Sequence, residues 1–346
     1  MFDVRSLTRP IVVAPMAGGA STPELVAAAG AAGAVGFLAA GYRTVDQVAE
    51  QVACVRELGA ADFGVNLFVP DDAPVDLAAA REYRTVLAPA AERFGVELPE
   101  PRADDDAYDA KVAALEADPV PVVSFAFGCP SAEVVDRLHA AGTATLATVT
   151  SGAEARLALA VGVGGLVVQG PDAGGHRGCF DPLADPPARP LDELLDEVRA
   201  VAEETVQAGD GARVALVAAG GLGTPARVRA ALARADAVQL GTAFLDADEA
   251  GTHAVHRAAL RDPRYTETAL TRAFSGRWAR GLRNDFIERF GPVAPAAYPA
   301  VNQLTGPLRA AAARAGDAEA LSLWAGTAWH DAPRGTAAQI IEALLD

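Results

Sequence analysis

GLVVQGPDAGGHRG, residues Gly165 to Gly178, holds a complete strand-to-loop transition. Its first part, Gly165 to Val168, is an apolar run without period-two alternation, as in a strand buried on both faces. Gln169, two adjacent glycines, His176 and Arg177 then follow before any helix can start. Gly174 and Gly175 can take backbone angles closed to other residues and let a flat ligand approach the main chain. A titratable imidazole at the end of a buried strand stands where α/β enzymes place their chemistry.

The same unit recurs on both sides of this stretch. Further strands are expected at Ile11–Ala14, Ala34–Leu38, Asp62–Leu67, Val120–Phe125, Ala144–Val149, Arg213–Ala218 and Ala237–Leu240, with Gly165–Gln169 as the sixth in order. Ala-rich helical stretches separate them, and start signals mark several helices. Ser21-Thr22-Pro23-Glu24 offers a capping box or a Thr cap followed by proline, Ser151 with Glu154 forms a capping box, and Thr224-Pro225 repeats the cap-plus-proline pattern. Eight strand–helix units within about 245 residues predict a (β/α)8 TIM barrel. Doubly wound sheets alternate in the same way, so the count favours the barrel without proving it. Asp71 to Pro119 is too long for one crossover and is expected to carry an extra helix. From Asp246 the rhythm stops. Residues 1–245 read as the barrel, 246–314 as a smaller substrate or lid domain, and 315–346 as a helical tail packing back on the barrel.

Composition narrows the function. The chain has 346 residues, 51% hydrophobic and 21% charged, enough to bury a sizeable core. A net charge of −16 excludes the basic footprint of a nucleic-acid binder and disfavours anionic membranes. Arginine supplies nearly all the positive charge. Lys111 is the single lysine, and in a polar helix it is poorly placed for Schiff-base chemistry. Cys54, Cys129 and Cys179 show no paired spacing, and no signal peptide is visible, so a cytoplasmic protein is expected. Leu25 to Gly41 is uncharged but slightly short for a membrane span and is interrupted by glycine.

The strand ends carry the candidate chemistry: Pro15 to Gly19, Asn66, Phe127-Gly128, Gln169 to Gly178, Gly220 to Thr224 and Gln239 to Thr242. Amides, small residues and one histidine at the same end of successive strands suit a flat, hydrogen-bonding cofactor. Glycine loops after the last two strands are where barrels commonly hold a phosphate. Gly221, Gly223 and Ala226 also fit a dinucleotide fingerprint, which normally opens the first strand of its domain instead. His253 and His256 lie three apart on a helix and read as a solvated face, since no third metal ligand is in register. Trp324 and Trp329 read as packing residues.

Several strings together resemble the nitronate monooxygenase family, formerly the 2-nitropropane dioxygenases, of its larger bacterial and fungal class. They are APMAGGASTPEL (Ala14–Leu25), GFLAAGY (Gly36–Tyr42), FGVNLFVP (Phe63–Pro70), VVSFAFGCP (Val122–Pro130), AGGHRG (Ala173–Gly178), AAGGLGTP (Ala218–Pro225) and QLGTAF (Gln239–Phe244). SGRWARGLRNDF (Ser275–Phe286), YPAVNQLTGPLR (Tyr298–Arg309) and LWAGTAW (Leu323–Trp329) extend the resemblance through the C-terminal part. It implies FMN in a TIM barrel and oxidation of alkyl nitronates by O2 to a carbonyl compound and nitrite. Met16, Asn66 and Gln169 would cover or hydrogen-bond the isoalloxazine, and Gly174 would sit against it. Gly220, Gly221 and the run Gln239, Leu240, Gly241, Thr242 would hold the ribityl phosphate. His176 would be the catalytic base. One departure is Asp172, where the family pattern leads us to expect Glu. Two rival readings remain open: an NAD(P)H-dependent quinone or enoyl-thioester reductase of the same superfamily, and a flavin-free phosphate-binding barrel acting as an isomerase or lyase. The oligomeric state is left open.

Overall fold

The computed structural model describes residues 1–71, 73–207 and 213–346. Among them eight parallel strands close a barrel: β1 (Ile11–Val13), β2 (Val35–Ala39), β3 (Gly64–Phe68), β4 (Val122–Ala126), β5 (Ala144–Val149), β6 (Gly165–Gln169), then, past the two-residue β7 (Gly175–His176), β8 (Ala215–Ala219) and β9 (Ala237–Leu240). β9 pairs back onto β1, Ile11 opposite Val238, which seals the ring. The fold is a (β/α)8 TIM barrel. Strands β2, β3, β4 and β8 begin one or two residues later than their sequences suggest. For β4 the cause is Pro121, which has no N–H to donate, so pairing with β3 starts at Val122.

Inside the barrel the strands do alternate. Val12, Phe37, Val122, Leu146, Val167, Val217 and Ala237 form one buried cluster, which Phe2, Val4 and Leu7 cover at the N-terminal end. The intervening residues face outward: Val13, Leu166, Val168, Leu216, Ala218 and Val238 pack under the helices. Two residues beyond the interior layer, the inward face turns polar or small at Asn66, Thr148, Gln169, Ala219 and Gln239. A dry floor and a hydrogen-bonding mouth follow from one period-two pattern.

The helices are α1 (Pro23–Ala31), α2 (Val45–Glu57), α3 (Leu77–Phe94), α4 (Tyr108–Ala117), α5 (Ala132–Ala140), α6 (Gly152–Ala160), α7 (Leu191–Gln207), α8 (Pro225–Leu232), α9 (Ala254–Arg261), α10 (Asp285–Phe290), α11 (Ala300–Ala315) and α12 (Ala337–Leu345). Thr22 caps α1 through the Leu25 amide, with Pro23 following it. Between Asp71 and Pro119 there are two helices: α4 sits in the outer ring beside α2 and α5, and α3 packs on α11. α12 lies against α1 and α8, completing the ring from the C-terminus. A second apolar cluster joins Tyr83 and Leu87 of α3 to Phe274, Phe286, Phe290, Leu304, Leu308 and Trp329. Strands β10 (Thr268–Thr271) and β11 (Ala279–Leu282) form a hairpin whose open edge pairs with β7. Among the described residues no helix is long and apolar enough to cross a membrane.

Candidate active site

The polar mouth of the barrel and the 246–330 segment enclose a cavity of about 650 Å³. That lies within the roughly 300–1,000 Å³ typical of small-molecule sites. Its wall brings together Met16, Asn66, Gln169, Gly174, His176, Gly220, Gly221, Gln239, Leu240, Gly241 and Thr242. These eleven candidate residues therefore border one space.

The histidine loop is held from two sides. Gln169 spans it: its Nε2 donates to the His176 carbonyl at 3.1 Å, and its Oε1 accepts from the Gly178 amide at 2.9 Å. Arg177 is buried and turns back, donating to the Gly170 carbonyl, while its own amide donates to the Trp278 carbonyl at 2.8 Å. The second side is the C-terminal string at 275–286. Pairing of β7 with β11 sets His176 opposite Ala279, and His176 Nε2 lies 2.8 Å from Ser275 Oγ. Arg277 is the keystone. Its guanidinium pairs with both Asp71 oxygens at 3.0 Å, donates to the carbonyls of Phe127 and Cys179, and stacks 4.4 Å over the Phe127 ring. It thereby ties together the loops after β3, β4 and β6.

Around the imidazole stand Phe127, Tyr298 and Trp324, with ring centroids 5.5, 6.1 and 5.6 Å away. Tyr42 and Phe68 extend this wall, and the Tyr298 and Tyr42 hydroxyls meet at 3.4 Å. Tyr42 and Phe127 both hold positive φ, 67° and 77°, which side-chain-bearing residues rarely adopt. Loss of solvation, with the Arg277 and Arg309 charges adding to it, pushes the His176 pKa down to about 3. The resting ring is therefore a neutral imidazole; the near-neutral value usual for a general base does not hold here. His256 is also lowered, to about 4, chiefly by burial.

Arg309 is the only charged side chain in the cavity wall among the described residues. Its Nη2 donates to the Asn302 carbonyl and to Asn302 Oδ1 at 3.2 and 2.6 Å, and among the described residues its buried Nε finds no acceptor and no carboxylate pairs with it. Asn302, Gly306, Arg309 and Ala313 all lie on the cavity face of α11, at helical spacings of four, three and four.

At the far end, among the described residues, the N–H groups of Gly220, Gly221, Gly223, Gly241 and Thr242 donate to no protein acceptor. Unpaired amides converging from two strand ends are the donor set an anionic phosphate requires. The glycines there differ in kind. Gly221 has φ +72°, and a Cβ would lie 2.8 Å from Asp172 Cβ, so its glycine is a backbone requirement. The absent Cβ of Gly174 points at the Gly326 nitrogen, 2.4 Å away, so chain packing requires that glycine too. Gly241 is unstrained, and a Cβ would make ordinary contacts with Ala14 and Met16 at 3.5 and 3.8 Å.

Four sequence readings need correction. His256 is not on a solvated face: it borders the cavity, with Nε2 3.1 Å from the Trp324 carbonyl. Trp324 packs against Phe274 but also forms cavity wall. Lys111 is buried, donating to the Ala40 carbonyl at 2.9 Å and pairing with Asp106 at 2.7 Å. At α6, Ser151 caps as expected, but Glu154 turns instead to the Thr150 and Phe180 amides at 2.6 and 2.9 Å. Tyr42, Ser275, Asn302 and Arg309 were not singled out by sequence, although the quoted strings contain them.

Fold and cavity define a (β/α)8-barrel enzyme whose site lies at the C-terminal ends of the strands, roofed by its C-terminal part. Within that class the chain belongs to the nitronate monooxygenase family, whose profile it matches over residues 3–346, and it is an oxidoreductase. It is 33% identical over 332 residues to a probable nitronate monooxygenase of Staphylococcus aureus (strain Newman), covering 94% of this chain and 90% of that one. Its structure is similar to nitroalkane oxidase from Streptomyces ansochromogenes, with 45% identity, a TM-score of 0.91, and 99% and 96% of the two chains covered. FabK from Thermotoga maritima, at 23% identity and a TM-score of 0.72 over 99% and 93% of the chains, shares the fold.

Proposed function

We propose that this protein oxidises alkyl nitronates with O2 to a carbonyl compound and nitrite, using FMN bound in the barrel-mouth cavity. The observation that carries this reading is the pairing of one uncompensated cation, Arg309, with a neutral imidazole in a cavity otherwise without charged side chains among the described residues. A cation unpaired in a poorly solvated site attracts an anion, and a nitronate is a delocalised anion. The family match and the nitroalkane oxidase likeness support the same substrate class.

The residues fit the cofactor. The free amides at Gly220, Gly221, Gly241 and Thr242 would take a single phosphate, and Asn66, Gln169 and Gln239 would meet the polar edges of a flat ring beside Met16. One such cradle suits FMN better than FAD, because the described residues offer no second strand-end cradle for an adenylate. When bound, the flavin supplies an electron-accepting ring that O2 can reoxidise. The protein's own work is positional. Arg309 and the aromatic wall hold the nitronate, and the cavity limits competing water. For a neutral nitroalkane, His176 takes the α-proton; the C–H pair moves onto the nitro group, and the new imidazolium faces the nitronate oxygens it helped create.

Anaerobic mixing of the FMN-loaded protein with propionate 3-nitronate, and separately with NADH, tests this reading. Fast flavin bleaching by the nitronate is expected. Fast bleaching by NADH with slow bleaching by nitronate would instead establish an NAD(P)H-dependent reductase, and a colourless protein that takes up no FMN would leave the flavin-free barrel.

A further inference from the structure

The hydroxyl of Ser275 has one proton and three neighbours. It lies 3.1 Å from the Arg277 carbonyl, 3.3 Å from the Arg277 amide and 2.8 Å from His176 Nε2. The amide can only donate. The carbonyl can only accept, and among the described residues no other group donates to it. Ser275 is itself buried, at 2% exposure, so neither group can turn to bulk water instead. Leaving a buried carbonyl unpaired costs roughly 1–3 kcal/mol, so the hydroxyl proton goes to the Arg277 carbonyl. The hydroxyl oxygen is then purely an acceptor toward the ring, and His176 Nε2 must carry hydrogen.

We infer that Ser275 is a positioning residue that locks His176 as its Nε2–H tautomer and so presents the Nδ1 lone pair to the cavity as the proton-accepting atom. This rests on the nitronate reading above for its functional consequence, but the tautomer itself does not. Geometry supports the assignment on the cavity side. Nδ1 has no protein partner among the described residues and is not sealed from the cavity that the ring borders. The lock is built from backbone and does not depend on a distant charge. Gly276 turns the chain at φ +83°, returning Arg277 to the hydroxyl, and β7–β11 pairing fixes the distance between His176 and that turn. In the step served, the substrate Cα–H bond breaks, its electron pair passes to the nitro group, and the proton bonds to Nδ1. Nε2–H keeps its hydrogen bond to Ser275 throughout. The opposite tautomer would direct a hydrogen at the substrate and leave the lone pair on the serine side, unable to act.

The test is ¹⁵N NMR of the FMN-loaded protein labelled at histidine, with the His176 signals identified by their loss in His176→Asn, alongside kinetics of Ser275→Ala and Ser275→Thr. At pH 7 the wild type should show a bare Nδ1 and a protonated Nε2. Ser275→Ala should lose that single-tautomer signature, and its kcat/KM on a neutral nitroalkane should fall roughly 10–100-fold, the scale of partners that orient a reactive imidazole. Turnover of the pre-formed nitronate should change less than about twofold, since no proton has to be taken. Ser275→Thr, which keeps the hydroxyl, should restore both readouts. A protonated Nδ1 in the wild type, or an unchanged tautomer in Ser275→Ala, overturns the inference. The NMR result stands apart from turnover, so a protein inactive on nitronates would still report whether the lock exists.

Discussion

Burial beside Arg277 and Arg309 keeps His176 uncharged far below the usual imidazole range, and this fixes how its activity should respond to pH. A base works only while unprotonated. With its pKa lowered to about 3, kcat/KM for a neutral nitroalkane should stay flat from pH 8 down to about 5, where an ordinary histidine would already have lost most of its capacity. An acid limb centred near 6.5 would contradict this. Replacing the base, as in His176→Asn, should lower activity on the neutral nitroalkane by about 10²–10⁴-fold and on its nitronate much less. Equal, small losses on both would make His176 a bystander. Arg309→Leu should raise KM for the nitronate anion with little change in thermal stability, because among the described residues no carboxylate is orphaned by the change. At the phosphate end, Gly241→Leu is the informative replacement, since its position is unstrained and the added side chain would crowd the free amides. Flavin content should drop; unchanged content would remove Gly241 from the cofactor site.

The three-stranded sheet β7–β11–β10 and helix α9 act at the next scale. Arg277 binds three barrel loops to this sheet through one guanidinium, and removing it leaves a largely buried Asp71 without that partner. Arg277→Met takes the guanidinium donor from the buried Phe127 and Cys179 carbonyls, about 1–3 kcal/mol each, so the unfolding free energy from urea titration should fall by about 2–6 kcal/mol; a loss below about 1 kcal/mol would show the clamp to be idle. His256 on α9 contributes a pH dependence of stability. The unfolded chain takes up imidazole protons near pH 6.5, whereas the folded chain does so only near 4 at His256 and near 3 at His176. The unfolded state therefore binds more protons between those values, and the stability present above pH 6.5 is lost as pH falls through that window. His256, facing His253 and the Trp324 carbonyl, can be isolated with His256→Gln, which should flatten the slope of midpoint against pH between 4 and 6.5. An unchanged slope would contradict its burial. These elements also mark where sequence stops being legible. Strand-end residues such as Asn66, Gln169 and Gln239 were readable because a strand's position and its inward face are local properties. Ser275, Arg309 and His256 were not, because their roles come from docking of 246–330 over the mouth, which no local period encodes. The spacing of Asn302, Gly306 and Arg309 on α11 was a usable signal, but only with the occupied face already known.

Across the whole molecule, a barrel with a dry floor and polar mouth is roofed by a second apolar cluster that recruits α3 from the barrel's own third crossover. The count of strand–helix units made the barrel legible, because each unit buries its strand on both faces and so writes a short apolar run. The roof was less legible. Its β10–β11 hairpin and helices α9 and α10 are short, and α3 lies far from them in sequence, so its membership shows only in three dimensions. The closed arrangement leaves one cation, the neutral imidazole of His176 and a cradle of free amides around a common space among the described residues. The most direct measurement is nitrite release and O2 consumption by the FMN-loaded protein supplied with propionate 3-nitronate and no nicotinamide. Nitrite should appear as O2 is consumed, and both should depend on the flavin. Absence of nitrite from a flavin-loaded, folded protein, whether or not it oxidises NADH, would contradict the proposed function.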